Sequence, residues 1–453
     1  MHLIPWNRFA PDTLLLRPGI IFQTGMKHCE ISRNWKTILV LAVGFLFCVG
    51  IAYSAFEKKI DKLIVAEYSV EHPAFRESMS HLLGPPLTDG NRVEELVNGV
   101  QIFPAILQAV RSAQKTITLE TYIWKSGQLS DALIEALSER ARAGVKVLCL
   151  ADGLGSRGLK NKDIDKLKSS GARFVVYARE RWFKIKPNIN HRTHRKLIIV
   201  DGRVGFTGGV CLADEWLGNA DSPKLWRETH FRLEGPVVKQ MQGVFVENWL
   251  QTTGEVLEGP EYFPTESGPA GRCLAQCFKS SPEDGQESAR LVHLLSIAAA
   301  RKNIRLSQAY FVPDNLAIKT LLAARARGVS IEVIVPAKND SAIGRAASRS
   351  RWQELAEAGV RFYAYEPAMY HCKVMIVDDL WVSAGSVNFD DRSFRLNDEA
   401  NFNVLDKKFA AAQIKVFEDD KYKSRLITTE DLRNRSWIQK LADRCAGTLR
   451  SQL

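Results

Sequence analysis

The stretch H-R-K-L-I-I-V-D at residues 194–201 occurs a second time as H-C-K-V-M-I-V-D at residues 371–378. Both copies read H-x-K-x4-D, and in both a glycine follows seven residues after the aspartate. Because side chains alternate along a strand, the histidine and the lysine of each copy share one face. The apolar run behind them predicts a buried strand, and the D-G or D-D that follows predicts a turn into a second apolar strand. Each copy is therefore predicted to be a β-hairpin with a His–Lys pair at its open end.

The glycines that follow the two hairpins, Gly208 and Gly385, are as far from the turn as the histidines. We therefore expect Gly208 to face His194 and Gly385 to face His371. A glycine beside a His–Lys pair leaves room for an anion, because it has no side chain. Two such half-sites that face each other would form one centre that handles a phosphate group.

The segments around the hairpins repeat one order of predicted elements. An amphipathic helix that begins near residue 92 leads through alternating strands and helices to the first hairpin, and the same order starts again near residue 285. Short sequences recur too, since G-A-R-F at 171–174 matches G-V-R-F at 359–362. This alternation predicts an α/β fold: an internally duplicated α/β/α sandwich whose two similar halves carry mixed, largely parallel sheets and meet at one active site.

Residues 37–56 form an uncharged, apolar segment of 20 residues. As a helix with a rise of about 1.5 Å per residue, it matches a hydrocarbon core of roughly 30 Å, which predicts a transmembrane helix. A buried helix is one alternative, and a cleaved signal peptide that starts at Met26 is another. Lys and Arg number four in residues 17–36 and four in residues 57–76, so the count leaves the orientation open. The predicted organisation is an N-terminal segment (1–36), the span (37–56), a linker (57–87), a first half (88–258), a second half (259–440) and a tail (441–453).

The chain has a formal net charge of +11, which suits an anionic partner, either nucleic acid or acidic lipid. Residues 179–192, which lengthen the first half before its hairpin, are basic and carry Trp182 and Phe183. They are typical either of a loop that dips into a lipid interface or of an ordinary exposed loop. The eight cysteines are scattered, and the pair Cys273 and Cys277 has no second pair or nearby histidine. The cysteines are therefore predicted to be free thiols.

The paired H-x-K-x4-D motifs resemble those of the phospholipase D superfamily, often called the HKD family. N-H-R-T-H-R-K at 190–196, W-R-E-T-H at 226–230 and G-S-V-N-F-D-D-R-S-F at 385–394 are similar to bacterial cardiolipin synthases. The resemblance covers roughly residues 88–440. It implies a covalent phosphohistidine mechanism without a metal or another cofactor.

Two histidines suit that chemistry. A neutral imidazole can attack phosphorus and an imidazolium can protonate the departing alkoxide, but one residue cannot do both in one step. By analogy with the family, His194 is the nucleophile and His371 the acid, although the sequence alone permits the reverse. Lys196 and Lys373 would neutralise the phosphoryl oxygens.

The resemblance extends the candidate site beyond the histidines and lysines. Glu228 lies 34 residues after the first motif histidine and Glu399 lies 28 residues after the second, and each is expected to fix the tautomer of a histidine. Asp201 and Asp378 complete the motifs, and we expect them to hold the turns or to pair with a basic group. Cys211 replaces an asparagine that the family usually has, so the first half has one amide fewer. The candidates for binding the substrate phosphate are Asn388, Ser386, Gly208 and Gly209.

Resemblance, charge and the apolar segment together favour a membrane-bound phosphatidyltransferase. One phosphatidylglycerol would donate its phosphatidyl group to another, giving cardiolipin and glycerol. The expected partners are anionic glycerophospholipids in the cell (inner) membrane, with the catalytic body facing the cytoplasm; no nucleic-acid partner is expected, and the oligomeric state is left open. The alternatives are a phospholipase D-type hydrolase or another phosphatidyltransferase, a nuclease of the same superfamily, and a lipid-binding module without catalysis.

Overall fold

The computed structural model describes residues 60–177, 191–265, 268–281, 287–339 and 342–436, together with residues 35, 39, 40, 43 and 439. Residues 1–58 and residues 59–453 are two separate compact units. The predicted N-terminal segment 1–36, the span 37–56, nearly all of 179–192 and the tail 441–453 lie outside the described residues. Within the described part of the chain, no helix is long and apolar enough to cross a membrane.

The first half of the larger unit alternates helices and strands up to the hairpin and then adds strands and a long helix. Its elements are α1 (Pro73–Leu83), β1 (Thr88–Val97), α2 (Asn98–Ser112), β2 (Thr116–Thr121), α3 (Gln128–Arg142), β3 (Lys146–Asp152), α4 (Asn161–Ser169), β4 (Arg173–Tyr177), β5 (Arg192–Thr193), β6 (Leu197–Val200), β7 (Val204–Gly208), a 3₁₀ turn (Asp214–Trp216), β8 (Trp226–Arg227), β9 (Thr229–Glu234) and α5 (Val237–Thr253).

The second half repeats this order. Its elements are β10 (Cys273–Ser280), α6 (Ser288–Ala299), β11 (Asn303–Gln308), α7 (Asn315–Ala326), β12 (Ser330–Pro336), α8 (Ala342–Glu357), β13 (Arg361–Tyr365), β14 (Met369–Tyr370), β15 (Lys373–Val377), β16 (Trp381–Gly385), α9 (Asp391–Arg395), β17 (Asn397–Leu405), α10 (Lys407–Tyr422), β18 (Ser424–Ile427) and α11 (Thr429–Arg433).

The strands form one continuous sheet whose order is mirrored about its centre. From one edge to the other the strands run β4-β3-β2-β6-β7-β9-β1-β10-β17-β16-β15-β11-β12-β13-β18. At the centre β1 and β10 pair antiparallel, and equivalent strands follow outwards on both sides. Within this order only β2–β3–β4 and β11–β12–β13 pair in parallel. The expectation of largely parallel sheets is therefore wrong, because each hairpin and its return strand add antiparallel neighbours.

One predicted helix boundary is also wrong. Residues 92–97 belong to strand β1, and α2 begins only at Asn98, whose φ is +61°. The helical spacing of apolar residues there is overridden by the six-residue antiparallel pairing of β1 with β9. Pro104 lies inside α2, and the helix continues to Ser112.

Three hydrophobic clusters show the layering. One packs α2, α3 and α4 against the first half of the sheet, and another packs α6, α7 and α8 against the second half. The third lies between the halves and contains α5, α10 and strands of both. In it, Phe231 of β9 packs against Phe402 of β17, with ring centroids 4.9 Å apart. The two halves therefore share a core.

Candidate active site

Short parallel bridges anchor each histidine motif to the opposite half. β5 pairs with the start of β17, and β14 pairs with β8. Directly after these bridges, the N–H of His194 donates to the carbonyl of Asp398, and the N–H of His371 donates to the carbonyl of Arg227, both at 2.8 Å. The backbone thus holds each histidine beside the acidic segment of the other half.

A carboxylate from the other half holds each imidazole through its Nδ1 atom. Nδ1 of His194 lies 3.0 Å from both carboxylate oxygens of Glu399, and Nδ1 of His371 lies 2.7 Å from Oε2 of Glu228. Glu228 follows His194 in the sequence and Glu399 follows His371. Each glutamate therefore binds the histidine of the other half and not the one that precedes it. Because Nδ1 is engaged by the carboxylate, Nε2 is the ring nitrogen left for chemistry. Nε2 of His371 lies 3.3 Å from Nζ of Lys373.

The two motif lysines lie close to both histidines. Nζ of Lys196 donates to the carbonyl of His194 at 2.5 Å, and Nζ of Lys373 donates to the carbonyl of His371 at 2.6 Å. Burial first, and then the positive charges of both lysines, hold the pKa of each imidazole well below its usual value. The structure thus brings the two half-sites together, because the charge of each lysine also acts on the histidine of the other motif.

Burial also shifts the other ionisable groups of the centre. It raises the pKa of Glu228 and of Glu399 to about 7, although the nearby lysines oppose the shift. It lowers the pKa of Lys196 and of Lys373. A phosphate group bound between the lysines would offset their charge and thereby raise the pKa of the imidazoles towards neutrality. The centre is thus arranged for an anion and for proton transfer once that anion is bound.

The glycines after the hairpins face the lysines, not the histidines. The register of β6 with β7 puts Gly208 opposite Lys196, and the register of β15 with β16 puts Gly385 opposite Lys373. The prediction was wrong by two residues, because Val200 pairs with Val204 and the turn is therefore centred one residue beyond the aspartate.

The space at the first-half glycines is filled by protein groups. A Cβ atom on Gly208 would lie 2.5 Å from Nδ1 of His230, and one on Gly209 would lie 2.1 Å from Oε2 of Glu228. Gly208 and Gly209 therefore admit the side chains that support the site, whereas we expected them to leave room for the anion itself.

The predicted phosphate-binding residues of the second half differ in their availability. The hydroxyl of Ser386 donates to Glu399 and accepts the N–H of Ala400, so it is committed to supporting the carboxylate. Oδ1 of Asn388 is buried and has no hydrogen-bond partner among the residues that the structure describes. Asn388 thus remains available to a substrate, while Ser386 acts through Glu399.

The motif aspartates lie at the far ends of the hairpins, away from the histidines. Asp201 accepts the backbone N–H groups of residues 114, 115 and 116 at 2.9, 2.7 and 2.9 Å. Asp378 accepts those of residues 301, 302 and 303 at 2.8, 2.7 and 3.0 Å. Both therefore hold the turns, as expected, and although they belong to the candidate catalytic motifs they do not reach the reacting centre.

Sequence reasoning did not single out the aromatic residues beside the histidines. The ring centroids of Trp226 and Trp216 lie 5.0 and 5.5 Å from that of His371. Tyr122 lies 5.3 Å from His194, and Nζ of Lys196 lies 5.6 Å from the tyrosine ring. The tryptophan of W-R-E-T-H was the one available signal. Its position two residues before Glu228 gains meaning only when β8 is seen to pair with β14.

In the described part of the chain, no cluster of three or more His, Cys, Asp or Glu could hold a metal ion. The cysteines there are free thiols, which agrees with the prediction: Cys149, Cys211, Cys273, Cys277 and Cys372. Cys211 is buried at the position equivalent to Asn388.

Known proteins share both the sequence and the fold of this chain. A family described as "Cardiolipin synthase, PLD-like domain" matches residues 106–249 and 294–421, which contain both histidine motifs. Cardiolipin synthase A of Pseudomonas putida (strain GB-1) is 34% identical over 388 residues, covering 85% of this chain and 80% of its own length. Cardiolipin synthase of Halalkalibacterium halodurans is 34% identical over 449 residues, covering 94% and 89%. The crystal structure of phosphatidylserine synthase from Haemophilus influenzae Rd KW20 shares the fold, with a TM-score of 0.65, 14% identity and coverage of 84% of this chain and 100% of its own.

Proposed function

This chain belongs to the cardiolipin synthase family of PLD-like proteins, and from that membership we propose a phosphohistidine route for its phosphatidyl transfer. The enzyme is a phosphatidyltransferase of the cardiolipin synthase type. Its proposed donor and acceptor are both phosphatidylglycerol, and the products are cardiolipin and glycerol. The observation that carries the route is the pair of imidazoles, each held at Nδ1 by a carboxylate of the other half and each followed by a lysine that bonds to the histidine's own carbonyl.

In the first step, Nε2 of His194 attacks the phosphorus of the donor lipid. A P–N bond forms, the P–O bond to the headgroup glycerol breaks, and Nε2 of His371 gives its proton to the leaving oxygen. Lys196 and Lys373 neutralise the phosphoryl oxygens, and Asn388 contributes its side-chain amide. The bound phosphate supports protonation of His371, because it offsets the lysine charges that lower the pKa of this imidazole.

In the second step, the glycerol hydroxyl of another phosphatidylglycerol takes the place of the departed glycerol. His371, now neutral, accepts the hydroxyl proton at Nε2 while the new P–O bond forms and the P–N bond to His194 breaks. Glu399 and Glu228 keep each ring in the tautomer that presents Nε2 to phosphorus or to the alcohol. Every protein group returns to its starting state.

The test is to incubate the purified protein with labelled phosphatidylglycerol and to separate the lipids by thin-layer chromatography. Cardiolipin with release of glycerol supports the proposal; phosphatidic acid alone indicates a hydrolase, and nicked DNA without lipid turnover indicates a nuclease. His194→Ala and His371→Ala should each abolish turnover, and the double variant should be no worse. His293→Gln, which changes a buried histidine outside the site, is the matched control. Substantial activity in either single variant would contradict a shared centre.

The same assay tests the metal-free route. Excess EDTA should leave the rate of cardiolipin formation unchanged, because lysines and imidazoles supply the charge and the protons. Loss of activity that an added divalent ion restores would refute this part of the proposal.

For localisation we propose anchoring in the cell membrane by the apolar segment 37–56, with the catalytic body on the cytoplasmic side. The net charge of +11 supports attraction to an anionic lipid surface. Removal of residues 1–56 should release a folded body into the soluble fraction. A truncated body that still sediments with membranes would point to further anchoring, with residues 179–192 as the next segment to delete.

A further inference from the structure

Because the chain is duplicated, each residue near one motif histidine has an equivalent residue near the other. Trp226 on β8 pairs with the strand before His371, just as Asn397 on β17 pairs with the strand before His194. Trp216 and Ser393 both lie eight residues after the glycine that ends a motif hairpin. Side chains at these positions can therefore be compared directly, because they hold the same places in the duplicated sequence and in its strand pairing.

The side chains at these equivalent positions give His371 an aromatic wall, by which we mean Trp216 and Trp226. The two indole rings contact each other, with centroids 4.4 Å apart, and both lie against the His371 ring. Trp216 is buried, whereas Trp226 is partly exposed. Gly209 has no side chain to add a polar group, and the Glu228 carboxylate fills the space beside it.

His194 has hydrogen-bonding groups in the same places. Ser393 and Asn397 replace the two indoles, and Ser386 replaces the glycine at 209. The Ser386 hydroxyl donates to Glu399, and the Ser393 hydroxyl accepts the N–H of Asn388. The two half-sites therefore share their histidine, lysine and glutamate but differ in polarity, and the less polar one belongs to His371.

This difference matters in the second step of the proposed reaction, on which the inference rests. Water and a lipid hydroxyl then compete for His371, which accepts the proton from whichever attacks. An ordered water needs about two to four polar partners, and the indole rings offer few. The methylene groups of a glycerol headgroup, in contrast, gain from contact with apolar surface.

We propose that the aromatic wall of Trp216 and Trp226 is the acceptor subsite, and that it favours a lipid alcohol over water in breakdown of the phosphohistidine. In both outcomes the P–N bond breaks and a P–O bond forms. The proton of the attacking hydroxyl passes to His371. A lipid alcohol yields cardiolipin, and water yields phosphatidic acid. The wall thus acts on the partition between the two products more than on their summed rate.

The experiment measures the ratio of phosphatidic acid to cardiolipin formed by the full-length protein from labelled phosphatidylglycerol. Trp226→Asn installs the residue of the equivalent position, and Trp226→Phe keeps an aromatic ring. Tyr122→Leu is the matched control, because it removes the ring beside His194. A ratio between two products of one intermediate does not depend on how much protein is folded.

We expect Trp226→Asn to raise the ratio about tenfold, the factor for losing roughly 50 Å² of apolar contact with the acceptor. Trp226→Phe should stay within about twofold of the wild type, and Tyr122→Leu should keep the wild-type ratio. An unchanged ratio in Trp226→Asn, an equal rise in Tyr122→Leu, or loss of both products in both Trp226 variants would overturn the inference. Absence of cardiolipin from the wild type would instead refute the proposed function.

Discussion

Glu228 and Glu399 serve the same purpose from opposite halves of the chain. Replacement of either by glutamine keeps an acceptor for Nδ1 but removes the negative charge that stabilises the imidazolium. We expect Glu399→Gln and Glu228→Gln each to lower kcat by about 10²- to 10⁴-fold, as for other orienting carboxylates. Steady-state kinetics of cardiolipin formation measure this. The control is Glu234→Gln, the same substitution at the end of β9, and its kcat should stay near that of the wild type. Similar losses of kcat in all three variants would point to general destabilisation.

His293 is a buried histidine that takes no part in the proposed reaction, and it tests how a titration affects stability. Burial lowers its pKa to about 4, and its Nδ1 atom bonds to the carbonyl of Ala289. The folded protein keeps this imidazole neutral while the unfolded chain takes up a proton below about pH 6.5. Its stabilisation is therefore present above pH 6.5 and is lost as the pH falls through 4. Between pH 7 and 4, the free energy of unfolding should fall by about 3 kcal/mol more in wild type than in His293→Gln; parallel denaturant-unfolding curves would contradict this.

Among single residues, the sequence indicated the chemistry but not every neighbour. His194, Lys196 and their second-half equivalents were recognisable because the motif occurs twice. Which of the two carboxylates binds which histidine was not recognisable, because nothing in the sequence near Glu228 or Glu399 indicates which half each one faces. Trp226 was noted only as part of W-R-E-T-H and was given no role, for the same reason.

At the scale of elements, the hairpin turns depend on one aspartate each. Asp201 has a φ of +53° and accepts three backbone N–H groups that lead into β2. Asp201→Ala should lower the free energy of unfolding by about 3 kcal/mol, because hydrogen bonds to a charged acceptor contribute about 1.5–3 kcal/mol each and are not additive. Urea unfolding measures the change.

The folded fraction of Asp201→Ala should keep its kcat, since this carboxylate does not reach the centre. Asp379→Asn is the matched control: Asp379 has a φ of +56°, but its hydrogen bonds with Asn303 and Arg305 are exposed to solvent. Its cost should be below about 1 kcal/mol, as for other surface ion pairs. A large loss of kcat at unchanged stability in Asp201→Ala would assign the aspartate a direct part in the chemistry.

The hairpins themselves were predicted correctly, and so were the helices and strands that alternate before them, with the exception of β1. Their periodicities are local properties of a few residues. The register of the hairpin strands was harder to predict. Gly208 lies opposite Lys196 because the turn is centred one residue beyond Asp201, and counting residues along the sequence cannot detect this shift. Strand β1 was mistaken for helix because its partner, β9, lies more than a hundred residues away.

At the scale of the whole molecule, the shared core predicts that the two halves unfold together. Phe402→Ala in β17 removes the ring that packs on Phe231 of the other half. The expected cost is about 3–5 kcal/mol, as for other buried phenylalanines. Amide exchange of β6 and β15, one strand from each half, should accelerate to the same extent. Faster exchange confined to β15 would mean that the halves are independent.

The sequence by itself determined the element types, the duplication and the reactive groups, because these depend on patterns within short stretches and on residue chemistry. Only the tertiary structure decided that His194 is held by Glu399 and His371 by Glu228. It also decided that two indole rings lie against His371, whereas a serine hydroxyl binds the carboxylate that holds His194. The physical reason is that these contacts join segments that are distant in the chain, through the bridges β5–β17 and β8–β14. Such pairings depend on the order of the whole sheet, which no local pattern encodes.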